Sequence, residues 1–152
     1  MTITYPKPAM KTINRMAPNW AEISEIVQDA PGVNTYWLKF VDEQFRNSYT
    51  FKPGQFNMLY VPGYGEAAIS ISSAPHDTSR IAHTVRLAGD VTNALSRLKV
   101  GDQIGVRGSF GTHWPIEKYI GKDIYIAAGG IGLPPLRSLI YHIVRNRQDY
   151  GR

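Results

Sequence analysis

Ile124-Tyr125-Ile126-Ala127-Ala128-Gly129-Gly130-Ile131-Gly132 divides the chain into two kinds of pattern. Its first five residues form a nearly all-apolar run, the mark of a strand buried on both faces as in parallel sheets. Glycines follow at once, and Leu136, Leu139, Ile140, Ile143 and Val144 then recur at helical spacing. This is one strand–loop–helix unit. A single such strand has no partner with which to build a parallel sheet. The sequence therefore predicts a complete N-terminal domain, followed over residues 121–152 by the first unit of an incomplete second one.

Upstream of Gly121 the period falls to two. Tyr36, Leu38 and Phe40 alternate with Trp37 and Lys39, and Phe56, Met58 and Tyr60 with Asn57, Leu59 and Val61. Ile69 and Ile71 alternate with Ser70 and Ser72, Val85 and Leu87 with Thr84 and Arg86, and Ile104 and Val106 with Gly105 and Arg107. Turn signals separate the runs at Pro31-Gly32, Pro53-Gly54, Pro62-Gly63, Pro75 with Asp77, and Gly101-Asp102. Short strands joined by short turns predict a small antiparallel barrel or sandwich over 19–116. One helix interrupts it, with Thr92 as N-cap and Ala94, Leu95 and Leu98 at helical spacing. Residues 1–18, with Pro6, Pro8 and Pro18, read as an N-terminal arm.

Composition narrows the function classes. The chain has 152 residues, 43% hydrophobic and 19% charged, with 17 Lys+Arg against 12 Asp+Glu and a net charge of +5. No run of five like charges occurs, and no strand face clusters Lys and Arg, so nucleic-acid binding is not expected. The chain has no cysteine, which excludes disulfides, thiolate catalysis and an iron–sulfur cluster held by its own thiolates. His76, His83, His113 and His142 are scattered, so no metal site is expected. No apolar stretch approaches the ~18 residues of a membrane span. The N-terminus lacks the apolar core of a signal peptide, and a cytoplasmic location is expected.

Three motifs bear on chemistry, each with an ordinary structural reading beside it. Gly129, Gly130 and Gly132 sit between strand and helix, where backbone N–H groups bind phosphate and glycine permits close approach. The spacing is G-G-x-G rather than G-x-G-x-x-G, and a tight strand–helix turn would need the same residues. Arg86-Leu87-Ala88-Gly89-Asp90-Val91-Thr92 places an arginine before a helix start, a pair able to grip one pyrophosphate, or simply a surface arginine and an N-cap. Ile69-Ser70-Ile71-Ser72-Ser73 offers small hydroxyl side chains to a flat ligand, or is an edge strand with a polar outer face. No nucleophile elbow or close carboxylate pair stands out for hydrolysis.

Taken in order, Phe51–Phe56, Pro62–Ser73, Arg86–Leu98, Gly101–Gly111 with Trp114-Pro115, and Gly121–Leu139 resemble the ferredoxin–NADP reductase superfamily. The likeness is strongest to gamma-type flavin subunits of hydrogenases and sulfhydrogenases and to the electron-transfer subunit of dihydroorotate dehydrogenase B. It implies a six-stranded antiparallel FAD-binding barrel, followed by the start of an α/β nucleotide-binding domain. It also implies an FAD-dependent NAD(P)H oxidoreductase subunit that passes electrons to an iron–sulfur, hydrogenase or reductase partner, and that is poorly active when the second domain is incomplete. By position, Ala67, Ala68, Ile69 and Ser70 would bind the flavin, with Ser70 as the catalytic residue near its reactive N5 edge. Thr84, Val85 and Arg86 would line the ribityl chain and pyrophosphate, and Val91 and Thr92 would present a helix N-terminus to that pyrophosphate. Gly129, Gly130, Ile131, Gly132, Leu133 and Pro134 would form the nicotinamide-nucleotide loop. Ala67 stands where the family often has Arg, Ile69 where it often has Tyr, Ser109 where it often has Pro, and Pro134 where it often has Ala. The first two departures leave room for an alternative, a flavin-free barrel acting as a scaffold or regulatory module.

Overall fold

The computed structural model describes residues 17–151, so the arm expected over 1–18 lies almost wholly outside the described residues. Six strands, β1 (Asn19–Ala30), β2 (Val33–Phe40), β3 (Phe56–Val61), β4 (Gly65–Ser70), β5 (Ile81–Arg86) and β6 (Gln103–Phe110), form one sheet in the order β4-β3-β6-β1-β2-β5. Every pairing is antiparallel. Among the described residues three α-helices accompany it: α1 (Glu43–Ser48), α2 (Asp90–Leu95) and α3 (Leu133–Arg145).

The alternation read from the sequence sorts the side chains. On β3, Asn57, Leu59 and Val61 are buried while Phe56, Met58 and Tyr60 are half-buried. Tyr36, Leu38 and Phe40 of β2 join Ile23, Ile81, Val85, Ile104 and Val106 in the core. The mainly β fold with a six-stranded antiparallel sheet is as expected.

Four local readings are corrected. No alternating run announces β1, because two register shifts against β2, between Ile23 and Glu25 and between Gln28 and Ala30, break its period. Helix α1 has six residues, too few for an apolar stripe, and is set by Asp42, whose carboxylate accepts from the Phe45 amide at 3.0 Å. Thr92 is not the N-cap of α2. Gly89 is, and the Thr92 hydroxyl reaches back to accept from the Ala88 and Gly89 amides, each at 3.0 Å. Residues 124–128 form no strand: no backbone hydrogen bond joins them to any described residue, since no second strand lies beside them.

The sheet's two edges, β4 and β5, close on each other. The Ser72 amide donates to the Ala82 carbonyl at 2.8 Å, while the Ile71 amide, donating to the Gln55 carbonyl at 3.1 Å, extends the pairing of β4 with β3. His83 of β5 completes the seam from inside. The Ser70 carbonyl can only accept, so His83 Nδ1 carries the proton and donates across 3.1 Å. Asn57 Oδ1 accepts from the Tyr49 hydroxyl at 2.9 Å, so Asn57 Nδ2 is left to donate to His83 Nε2 at 3.2 Å. Both ring nitrogens are thus satisfied only in the neutral imidazole. Complete burial pushes its pKa down to about 4, although hydrogen bonds to the Ser70 and Ile69 backbone oppose the shift. Gly108 sits where a Cβ would overlap Asn57 Oδ1, with φ +147°, so the network has no room for a side chain there.

A depressed basic pKa means that the unfolded chain binds a proton the native chain refuses. Stability from His83 is complete above pH 6.5 and is lost as pH falls towards about 4. At about 1.4 kcal/mol per unit, the loss is about 3 kcal/mol. Urea unfolding of the chain and of His83→Gln across that window should show this slope in the parent alone; parallel curves would reject the assignment.

Candidate functional site

Between the barrel and α3 lies a cavity of about 640 Å³. One wall comes from the β1–β2 turn and the end of β5, with Asp29, Ala30, Val33, Thr84 and Arg86; the other from the glycine loop and α3, with Gly130, Ile131, Leu133, Pro134 and Arg137. Residues more than 40 positions apart in sequence thus face one space.

The loop is shaped by glycine. Gly130 has φ +53°, in the left-handed region that residues with a Cβ rarely adopt. A Cβ built at Gly129, Gly130 or Gly132 would meet nothing within 4 Å, so the loop backbone looks onto open space that side chains there would fill. That is the shape a close-approaching phosphate or flat ring requires.

The opposite wall is held by a chain of hydroxyls. Thr35 Oγ1 donates to Asp29 Oδ2 at 2.5 Å and lies 2.6 Å from Thr84 Oγ1, which lies 3.2 Å from Ser72 Oγ. The chain runs from a carboxylate at the cavity to the buried seam between β4 and β5. Arg86 is exposed and has no carboxylate partner among the described residues, whereas Arg46, Arg80 and Arg107 are each paired with a glutamate. The Arg107 fork holds Glu66, by hydrogen bonds first, below the usual carboxylate range. Arg86 is therefore a cation available to an anionic ligand.

The residues singled out from the sequence divide into two groups. Thr84, Arg86, Gly130, Ile131, Leu133 and Pro134 line the cavity, and Gly129 and Gly132 flank its loop. Val85 is buried in the core and does not line the cavity. Ala67, Ala68, Ile69 and Ser70 lie on β4 and do not line this cavity. Ala68 is exposed and the other three are half-buried. Val91 and Thr92 lie on α2, which packs on β3 and β4; a Cβ at Gly65 would come within 3.9 Å of Val91 Cγ2. Sequence reasoning missed Asp29 and Arg137. The polar position beside a helical apolar stripe was the only available signal for Arg137, and the Pro31-Gly32 turn the only one for Asp29.

Comparison with known proteins agrees with this architecture. The fold is that of reductases with a flavin-type barrel. A phthalate dioxygenase reductase superposes with a TM-score of 0.74 at 20% identity, over 88% of this chain and 41% of that one. A ferredoxin NADP+ reductase from Neisseria gonorrhoeae, solved with bound FAD and NADP, superposes with a TM-score of 0.70 at 25% identity, over 86% of this chain and 53% of that one. No family model matches the chain. In sequence it is 40% identical over 116 residues to the sulfhydrogenase 1 gamma subunit of Pyrococcus furiosus, covering 76% of this chain and 40% of that protein. It is 37% identical over 124 residues to a probable dihydroorotate dehydrogenase B electron transfer subunit of Methanocella arvoryzae, covering 82% of this chain and 43% of that protein. Its relatives in sequence are thus sulfhydrogenase gamma and electron transfer subunits, its structural neighbours are of the ferredoxin–NADP reductase type, and the chain spans about 40% of the length of those relatives. No helix among the described residues is long and apolar enough to cross a membrane.

The hydroxyl chain makes a measurable claim. Thr35→Val and Thr84→Val should each destabilise by about 1–3 kcal/mol, because each leaves a buried hydroxyl short of a partner. The double substitution should cost clearly less than the sum, since both changes remove one shared contact. Additive losses in denaturant unfolding would show that the two hydroxyls act separately.

Proposed function

We propose that the chain is the flavin-binding part of an electron-transfer subunit. It would hold FAD on the barrel, leave the Gly129–Pro134 loop to the nicotinamide nucleotide, and work between NAD(P)H and an iron–sulfur or hydrogenase/reductase partner subunit in the cytoplasm. The observation that carries the reading is the cavity that sets Thr84 and unpaired Arg86 opposite the open Gly129–Gly132 backbone. The relatives' names, sulfhydrogenase gamma and electron transfer subunit, support redox service within a larger assembly. Bound flavin supplies the chemistry of accepting a hydride and releasing single electrons.

The chain's own residues have separable tasks in this reading. Arg86 neutralises the flavin diphosphate, taking over the charge that an arginine at Ala67 would carry. Thr84 is held in place by Thr35 and Ser72 and offers its hydroxyl edge to the ribityl chain. Ala67, Ala68, Ile69 and Ser70 form the small-residue surface for the ring, with Ser70 as catalytic residue at its reactive edge. The strand carrying Ser70 is held at its end by the neutral His83. Val91 and Thr92, in the first turn of α2, would present that helix's start to the flavin pyrophosphate. Domain limits follow: an arm over 1–18, an FAD-binding barrel over 19–116, and the start of a nucleotide unit over 121–152.

FAD at a hundredfold excess over its Kd should raise stability by about 2.7 kcal/mol. Arg86→Ala should weaken FAD by about 1.5–3 kcal/mol, the value of a lost charged hydrogen bond, and FMN by less. Visible absorption of the purified chain and fluorescence titration of FAD measure both. A colourless chain whose unfolding ignores saturating FAD would leave the flavin-free scaffold as the correct reading.

A further inference from the structure

The cavity has a second guanidinium. Arg137 of α3 lines it opposite Arg86, and Asp29 is the only carboxylate among the lining residues. Arg137 is half-buried and aimed by its neighbour: Nη2 donates to the Tyr141 hydroxyl at 3.0 Å, and the guanidinium carbon lies 5.8 Å from that ring's centre. No carboxylate among the described residues pairs with it. A cavity with two unpaired arginines and one carboxylate favours an anion.

The start of α3 shows why a side chain is needed. The first turn of a helix ordinarily offers several unbonded N–H groups to a phosphate. Here that turn reads Leu133-Pro134-Pro135, and proline has no N–H. Two donors are gone from the element whose glycine loop otherwise has room for a ligand. Arg137 lies three and four positions after Pro134 and Leu133, which puts it on their face of the helix, the face that lines the cavity.

We propose that Arg137 binds the diphosphate of a nicotinamide dinucleotide, in place of the two backbone donors that Pro134 and Pro135 remove. The proposal rests on the flavin–nicotinamide reading above and assigns a residue that reading does not use; Arg86 remains with the flavin diphosphate.

The test is a pair of titrations of the 152-residue chain followed by NMR. One uses ADP-ribose, which carries the diphosphate but no nicotinamide, and the other uses FAD. R137Q should weaken ADP-ribose about tenfold or more and FAD by less than about twofold, with unchanged thermal unfolding. R137K should keep most of the ADP-ribose affinity, and P134A placed in R137Q should recover part of what was lost by restoring one N–H. The proposal is overturned if R137Q leaves ADP-ribose affinity unchanged, if it weakens FAD equally, if P134A recovers nothing, or if the parent chain takes FAD and not ADP-ribose. Failure of the parent chain to take FAD, with ADP-ribose still bound through Arg137, would instead sink the flavin reading and leave this assignment standing.

Discussion

A neutral imidazole inside the barrel is the contact on which the rest depends. The sheet is linear in its pairing, with β4 at one edge and β5 at the other, and a curled sheet left open would expose both edges. His83 closes it by donating to the Ser70 carbonyl and accepting from Asn57, which in turn accepts from Tyr49. Three strands and the loop before β3 meet in that network. A charged ring would lose its acceptor role towards Asn57 and would carry an unpaired charge in the core. The burial that depresses the ring's pKa therefore also keeps the seam shut.

From that seam the candidate site inherits its rigidity. Ser72 lies just beyond β4, and its hydroxyl joins Thr84, Thr35 and Asp29 in a line that ends at the cavity. The cavity wall is therefore anchored in the same polar interior that closes the barrel. Arg86, the next residue but one after Thr84, leaves the core at the strand's last position and stays exposed, with no carboxylate partner among the described residues. A charge on a rigid strand end, facing a glycine loop across a cavity, binds with little ordering cost.

The far side of α3 follows a different logic. Leu139 is buried while Val144 is 66% exposed and Tyr125 is 91% exposed. Trp114, Ile116, Ile124, Ile126, Leu136 and Leu139 share a groove of about 470 Å³. The backbone of 124–128 makes no hydrogen bond to the described residues, although its composition is that of a fully buried strand. The C-terminal segment is held instead by backbone bonds between distant positions, with the Gly121 amide donating to the Asp149 carbonyl and the Gly151 amide to the Lys122 carbonyl, each at 2.8 Å.

Local order in the sequence determined whatever depends on near neighbours. Alternation marked five of the six strands, proline–glycine pairs marked the turns between them, and the apolar stripe from Leu136 to Val144 marked α3. Arg86 and the glycines were legible because a cation before a turn and three glycines before a helix are short-range patterns. β1 was hidden because its register shifts break the very period that announces a strand. The tertiary structure alone decided which edges meet, which tautomer His83 holds, and that Asp29, Thr84, Arg86 and Arg137 share one cavity. Periodicity reports which side of an element is apolar. It does not report which charged residue on a polar side will find an opposite wall, because that follows from burial and hydrogen bonding between segments distant in the chain. Arg137 looks like any solvated helix position until the cavity's other wall is in place.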